Sequence, residues 1–182
     1  MKKLLLPIFF VCIMVCNAIA QSEDKSRFSL ELGGGLPIGD ASHKYYFAIN
    51  TGLKANILIA DNLFLTGAAG YTYLHGKNHT LTTSKGITYT TAFDVAAIPV
   101  KGGLRYYFDE SFFFEGQAGV AIFTEGGKST AFIYSPSLGY TFTGGFELNL
   151  RYESWSKVKY ATNPLKKDDT IGQVALGLGF GF

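Results

Sequence analysis

Thr170-Ile171-Gly172-Gln173-Val174-Ala175-Leu176-Gly177-Leu178-Gly179-Phe180-Gly181-Phe182 closes the chain. Val174, Leu176, Leu178, Phe180 and Phe182 are large and apolar, whereas Gln173, Ala175, Gly177, Gly179 and Gly181 between them are small or polar. A β-strand imposes that period of two, because successive side chains point to opposite faces. One face is continuously apolar and runs on to a terminal aromatic. A soluble sheet would cover such a face or stop short of it, so a strand lying against lipid explains the pattern better.

At the other end, Lys2 and Lys3 precede an apolar run from Leu4 to Val15, and Ala18-Ile19-Ala20 stands before the polar Gln21-Ser22-Glu23-Asp24. Charged region, apolar core and A-x-A site together predict a secretory signal peptide over 1–20, cleaved after Ala20. The apolar core of about 12 residues is too short for a membrane helix, which needs about 20. Cys16 would be a lipoprotein acceptor only behind a small residue, and Val15 stands there. Cys12 and Cys16 leave with the signal, so residues 21–182 are expected to hold no disulfide and no thiolate. Losing Lys2 and Lys3 leaves 14 basic residues against 14 acidic ones. A chain of zero net charge gives no general case for nucleic acid as a partner.

Residues 21–182 read as one domain without an apolar run long enough for a transmembrane helix. Strands are expected over 27–36, 45–59, 63–74, 87–108, 111–124, 132–143, 146–155 and 170–182. Tight turns at Asp61-Asn62, Asp109-Glu110 and Gly144-Gly145 alternate with longer polar loops over 37–44, 75–86, 125–130 and 156–169. In the second strand Tyr45, Phe47, Ile49, Leu53, Ala55, Ile57 and Ile59 are expected on the outer face, opposite Asn50, Gly52, Lys54 and Asn56. Pro99 falls inside the fourth strand; it cannot donate to a ladder, so a bulge or register change is expected there.

An even number of strands, short turns on one side, long loops on the other and aromatics near strand ends characterise a transmembrane β-barrel. On these features, and on Ala97-Ile98-Pro99-Val100-Lys101-Gly102-Gly103-Leu104-Arg105-Tyr106-Tyr107-Phe108 as its fourth strand, the chain resembles the small eight-stranded bacterial outer-membrane β-barrels. These are the OmpX and OmpA-barrel type, of the outer membrane protein beta-barrel domain or porin family. The resemblance covers all of 21–182 and implies an all-β, eight-stranded antiparallel up-and-down barrel. It further implies an integral outer-membrane protein, a monomer, with loops outside and both mature termini in the periplasm. Phe180 and Phe182 would then belong to the signal that the barrel-assembly machinery reads. The competing architecture is a soluble lipocalin-like barrel, which would turn its apolar face inward and its charges out.

If the apolar faces meet lipid, Glu31, Lys54, Lys101, Arg105, Glu115, Glu147, Arg151 and Glu153 all point into the barrel, four of each sign. The opposite assignment would place Lys and Arg against lipid, at about 2–4 kcal/mol each near the midplane. Eight strands leave room only for side chains or one small ligand. The lumen is therefore expected to be polar and largely plugged, with the charges paired, since an isolated buried charge costs several kcal/mol. A gated ion path or small-ligand cavity is the functional alternative.

The four loops carry Lys44, Lys77, Lys85, Lys128, Lys157, Lys159, Lys166 and Lys167 against Asp40, Glu125, Asp168 and Asp169. Such a basic rim suits the phosphates of lipopolysaccharide, each Lys acting as a point charge that salt weakens. Ordinary solvated lysines are the alternative. His43, His75 and His79 lie in expected loops, and His75 and His79 would share a face only in a helix, which Gly76 and Asn78 oppose. Ser42, Ser84 and Asp40 have no triad order or spacing. No catalytic residue, metal or cofactor is expected. Gly33-Gly34-Gly35 reads as close strand packing rather than a phosphate loop. The expected function is that of a structural or interaction barrel, with a narrow pore or transport barrel, or a rim-located lipid-modifying enzyme, as alternatives.

Overall fold

The computed structural model describes residues 27–82, 88–91, 94–124, 130–158 and 169–182. The expected signal peptide and its cleavage site lie outside these residues. In chain order the elements are β1 (Arg27–Ile38), α1 (Asp40–Lys44), β2 (Tyr45–Ala60), β3 (Leu63–Gly76), β4 (His79–Thr82), β5 (Thr88–Thr91), β6 (Val95–Tyr107), β7 (Phe112–Phe123), β8 (Thr130–Thr141), β9 (Phe146–Val158) and β10 (Asp169–Gly181). Eight of these strands close into one antiparallel barrel in the order β1-β10-β9-β8-β7-β6-β3-β2, and β4 with β5 makes a separate hairpin. The shortest barrel strands have 12 residues and the longest 16. A tilted strand needs about 9–11 to cross a bilayer, so each is long enough.

Closure depends on the terminal stretch. β10 pairs with β1 from Ser29↔Gly181 to Ile38↔Gly172 in unbroken register. Phe182 extends the seam: its N–H donates to the Phe28 carbonyl at 2.8 Å, and its own carbonyl accepts from Phe28 N–H at 3.3 Å. A closed ladder leaves no open edge, the condition for a sheet in lipid. The period of two then sorts the side chains. Leu30, Leu53, Leu104, Phe132, Leu150 and Leu176 stand exposed on the outer wall, while Lys54, Arg105, Glu115 and Glu153 are buried inside. A lipocalin-like distribution would be the reverse. Among the described residues no helix is long and apolar enough to cross a membrane; the strands supply the apolar band.

Five local expectations are corrected. Tyr45 is buried, not on the outer face, because the register slips between Tyr45↔Gly76 and Phe47↔His75. The extra residue lets Tyr46 and Phe47 both point out, as a bulge does. The long fourth strand is two elements, with β5 in the hairpin and β6 in the barrel. Within β6, Pro99 causes no bulge: pairing to β7 is continuous from Ala97↔Phe123 to Tyr107↔Phe113. On the β3 side the register also holds, but no rungs form between Ala69↔Val100 and Thr72↔Ala97. The missing proline N–H is absorbed as lost pairing rather than as a kink. Pro136 behaves likewise, in the gap between Tyr134↔Ser154 and Ser137↔Arg151. The loop expected over 37–44 contains the end of β1 and the short α1, and His79 lies in β4.

Candidate functional site

Among the described residues, the eight charges expected inside the barrel form one continuous run of alternating sign. Glu147 meets Arg105 in a two-pronged contact, Oε1 to Nη1 at 2.7 Å and Oε2 to Nη2 at 3.1 Å. Arg105 Nη2 donates to Glu115 Oε2 at 2.8 Å, and Lys54 Nζ donates to the same oxygen at 3.0 Å. Lys54 also pairs with Glu31, and Glu31 lies 3.6 Å from Arg151. Arg151 is 3.6 Å from Glu153, whose Oε2 takes a 2.9 Å hydrogen bond from Lys101 Nζ. Several of these links span the lumen between strands that are not neighbours: Lys54 on β2 reaches Glu115 on β7, and Arg105 on β6 reaches Glu147 on β9. Each ion thus faces opposite charge in a space that excludes most water, the arrangement that offsets desolvation.

Toward the loop end the filling changes character. Glu153 Oε1 accepts from Trp155 Nε1 and from Gln173 Nε2, both at 2.9 Å, while Asn50 Oδ1 accepts from Thr72 Oγ1 at 2.9 Å. Above this polar layer Trp155, fully buried, meets Phe123 edge-on at 5.7 Å. Tyr45, Leu74, Ile133, Ile171 and Ala41 of α1 belong to the same buried apolar cluster. The lumen is thus closed twice, by ions in the middle and by an apolar stopper near the loops. A pocket of about 30 Å³ between Glu31, Asn50, Thr72, Lys101, Arg151 and Glu153 has room for roughly one water. Sequence reasoning placed Asn50 on the inner face but missed Trp155 and the partner roles of Asn50 and Gln173. The apolar stopper left no periodic signal, because its members come from short strand ends and from α1.

At the loop end His75 is ringed by aromatics, 5.3 Å from Phe47 and 6.1 Å from Tyr46 between centroids. Its Nδ1 lies 3.2 Å from Asp94 Oδ1. Asp94 also accepts from Tyr73 O–H at 2.5 Å and from Gly76 N–H at 2.8 Å, and these bonds, the tyrosine's first, hold its carboxyl below the usual range. Asp94 was expected within a strand; it joins the acidic residues of the rim. Lys77 is tied down, donating from Nζ to the Ser42 carbonyl at 2.6 Å and lying 5.2 Å from the Tyr46 ring centroid. Lys85, Lys128, Lys159, Lys166, Lys167 and Ser84 lie outside the described residues, as does the Lys157 side chain. Among the described residues no group of three His, Cys, Asp or Glu side chains could hold a metal ion. Phe180 and Phe182 stand exposed on the outer wall of the closing strand.

At the turn end Asp109 Oδ1 accepts from Ser111 and Phe112 N–H at 2.7 and 2.6 Å. Those bonds, the one from Phe112 first, hold its carboxyl below the ordinary range. Just inside, the Arg105 guanidinium lies 3.8 Å over the Phe113 ring, and Tyr107 Oη sits 3.1 Å from Thr141 Oγ1.

No protein-family model matches the chain, and no curated protein sequence matches it. Solved structures do. Ail, the attachment invasion locus protein of Yersinia pestis, in complex with the heparin analogue sucrose octasulfate, is similar with a TM-score of 0.54 and 20% identity. That similarity covers 88% of this chain and all of Ail. The outer membrane enzyme PagL is similar with a TM-score of 0.52 and 15% identity, over 84% of this chain and 98% of PagL. A de novo designed transmembrane β-barrel follows with a TM-score of 0.51 and 13% identity, over 86% of this chain and 95% of the design. The shared property is the fold, that of a closed eight-stranded barrel of the outer-membrane type.

Proposed function

Starting from a barrel with the fold of the small outer-membrane proteins, we propose that this protein acts at its loop end and not through its lumen. It is read as a structural or interaction barrel, monomeric and without enzymatic activity, its loops outside and its mature termini in the periplasm. The observation that carries this reading is the unbroken alternation of charge from Glu147 to Lys101, capped by Trp155. Such a filling serves rigidity and closure, and leaves the loops as the surface for partners. The loop lysines are assigned to phosphate groups of lipopolysaccharide. Support for a polyanion comes from the structural likeness to Ail, which was captured with a sulfated sugar.

Binding of the membrane-purified protein to lipopolysaccharide, compared with the same lipid after phosphate removal, tests the assignment. Binding is expected to need the phosphates, to weaken as salt rises, and to fall several-fold in a Lys157→Gln, Lys159→Gln, Lys166→Gln, Lys167→Gln variant. Equal binding to both lipids, indifferent to salt, would remove the loop lysines from the account.

A further inference from the structure

We propose that His75 is a proton-operated contact for a lipid-borne phosphate, on the outer wall of the barrel at its loop end. Along the end of β3, Thr72, Leu74 and Gly76 are buried, and Tyr71, Tyr73 and His75 alternate with them on the outer face. Tyr46 and Phe47 of β2 stand beside His75, 54% and 41% exposed. The imidazole lies nearly parallel to the Tyr46 ring, at 28°. Lys77 Nζ lies over the same ring, and the Lys77 backbone N–H donates to the Lys44 carbonyl at the end of α1 at 2.7 Å. Imidazole and ammonium thus flank one exposed tyrosine where the aromatic wall gives way to the loops. The His75 side chain is 44% exposed, so a headgroup can reach it.

The tautomer of the ring makes the contact depend on a proton. A carboxylate can only accept, so the proton of a neutral His75 sits on Nδ1, facing Asp94 Oδ1. Nε2 then carries a lone pair, which repels the oxygen of an anion. A second proton turns Nε2 into a donor and gives the ring a charge. Among the described residues, the groups that face His75 are Asp94 just before β6, Tyr46 and Phe47 from β2, and Tyr73 from β3, with Lys77 across the Tyr46 ring. With a neutral imidazole the charges of Asp94 and Lys77 cancel; with an imidazolium the group is left with a net positive charge. The ring faces around His75 accept that charge. Lys77 Nζ gives one N–H to the Ser42 carbonyl, and an ammonium has further donors. A phosphate oxygen beside both side chains would therefore meet two donors only after protonation. Because His75 stands on the outer wall, the phosphate is one carried by a lipid headgroup. The proposal rests on the reading of the loop end as the phosphate-facing end, but uses none of the four lysines tested above.

Association of spin-labelled phosphatidylglycerol, relative to spin-labelled phosphatidylcholine, with the membrane-purified protein in phosphatidylcholine vesicles tests the contact. Phosphatidylglycerol is a phosphodiester of constant charge near neutral pH, so a pH response belongs to the protein. Its preference over phosphatidylcholine is expected to rise about threefold from about pH 7.5 to about pH 5.5. His75→Gln should keep the neutral-pH preference and lose the rise, since glutamine takes up no proton. Lys77→Gln should lower the preference about twofold at both pH values. Asp94→Asn removes the carboxylate that fixes the tautomer and cancels Lys77, so its preference should be raised about twofold already at about pH 7.5. A merely structural role for Asp94 would not produce that increase. Heat-modifiable gel migration identifies the folded variants, and if Asp94→Asn does not fold, His75→Gln decides. A rise that persists in folded His75→Gln overturns the proposal. An equal preference at both pH values in the unaltered protein overturns the proton dependence alone. No preference for phosphatidylglycerol at either pH overturns it together with the reading of this end as phosphate-facing.

Discussion

Glu115 is the joint of the lumen: one of its oxygens serves both Lys54 and Arg105, the latter through Nε at 3.1 Å and Nη2 at 2.8 Å. Glu115→Gln leaves two cations facing a neutral amide, and loss of the shared partner is expected to cost about 3–5 kcal/mol. Glu147 ends the run and serves Arg105 alone among its ion pairs. Glu147→Gln leaves Arg105 paired with Glu115, so its cost is expected to be smaller, about 1–3 kcal/mol. Urea unfolding of both variants in detergent micelles measures the difference, and equal losses would show that position in the run does not set the cost. The inward direction of these charges was legible in the sequence, because it follows from parity along each strand. Their partners were not, since Lys54 and Glu115 are 61 positions apart and meet only through the stagger of strands on opposite walls. Trp155 was illegible for a related reason. Ser154 and Trp155 are consecutive and both buried, next to a register irregularity where β9 meets the start of β10.

Between elements, backbone approach decides what a position tolerates. A Cβ on Gly103 of β6 would strike the Gly116 carbonyl of β7 and stand 2.7 Å from Gln117 Cα. Gly116 itself faces the open outer wall, where an added Cβ meets nothing nearer than the Phe114 ring at 3.9 Å. Gly103→Ala is therefore expected to destabilise by about 1–3 kcal/mol, as overpacking does. Gly116→Ala should stay within about 0.5 kcal/mol. The same unfolding measurement ranks the two, and the reverse order would contradict the β6–β7 geometry. Strand number, turn positions and the outer faces were readable because lipid on one side and a filled lumen on the other enforce a strict alternation. The start of β2 was not, since three aromatics in a row, Tyr45, Tyr46 and Phe47, fit either parity until the bulge places them. Nor was the break between β5 and β6 visible, because a hairpin above the barrel keeps the composition of a strand.

On the scale of the whole molecule, the wall and the filling solve separate problems. The wall satisfies every strand edge by closing β1 on β10, with Phe182 bonded to Phe28 at the end of the seam. Among the described residues the filling buries eight charges, alternates their signs and stops the outer end with an apolar layer around Trp155. We propose that a barrel filled in this way acts at its loop end and not through its lumen. The most direct test is single-channel recording of the membrane-purified protein in a planar bilayer, its folded state established by heat-modifiable gel migration. A plugged lumen gives no discrete open steps in the folded protein. Discrete steps whose size changes when Arg105 or Arg151 is replaced by Ala would contradict it, and would make the ion-pair run a conducting path instead of a plug.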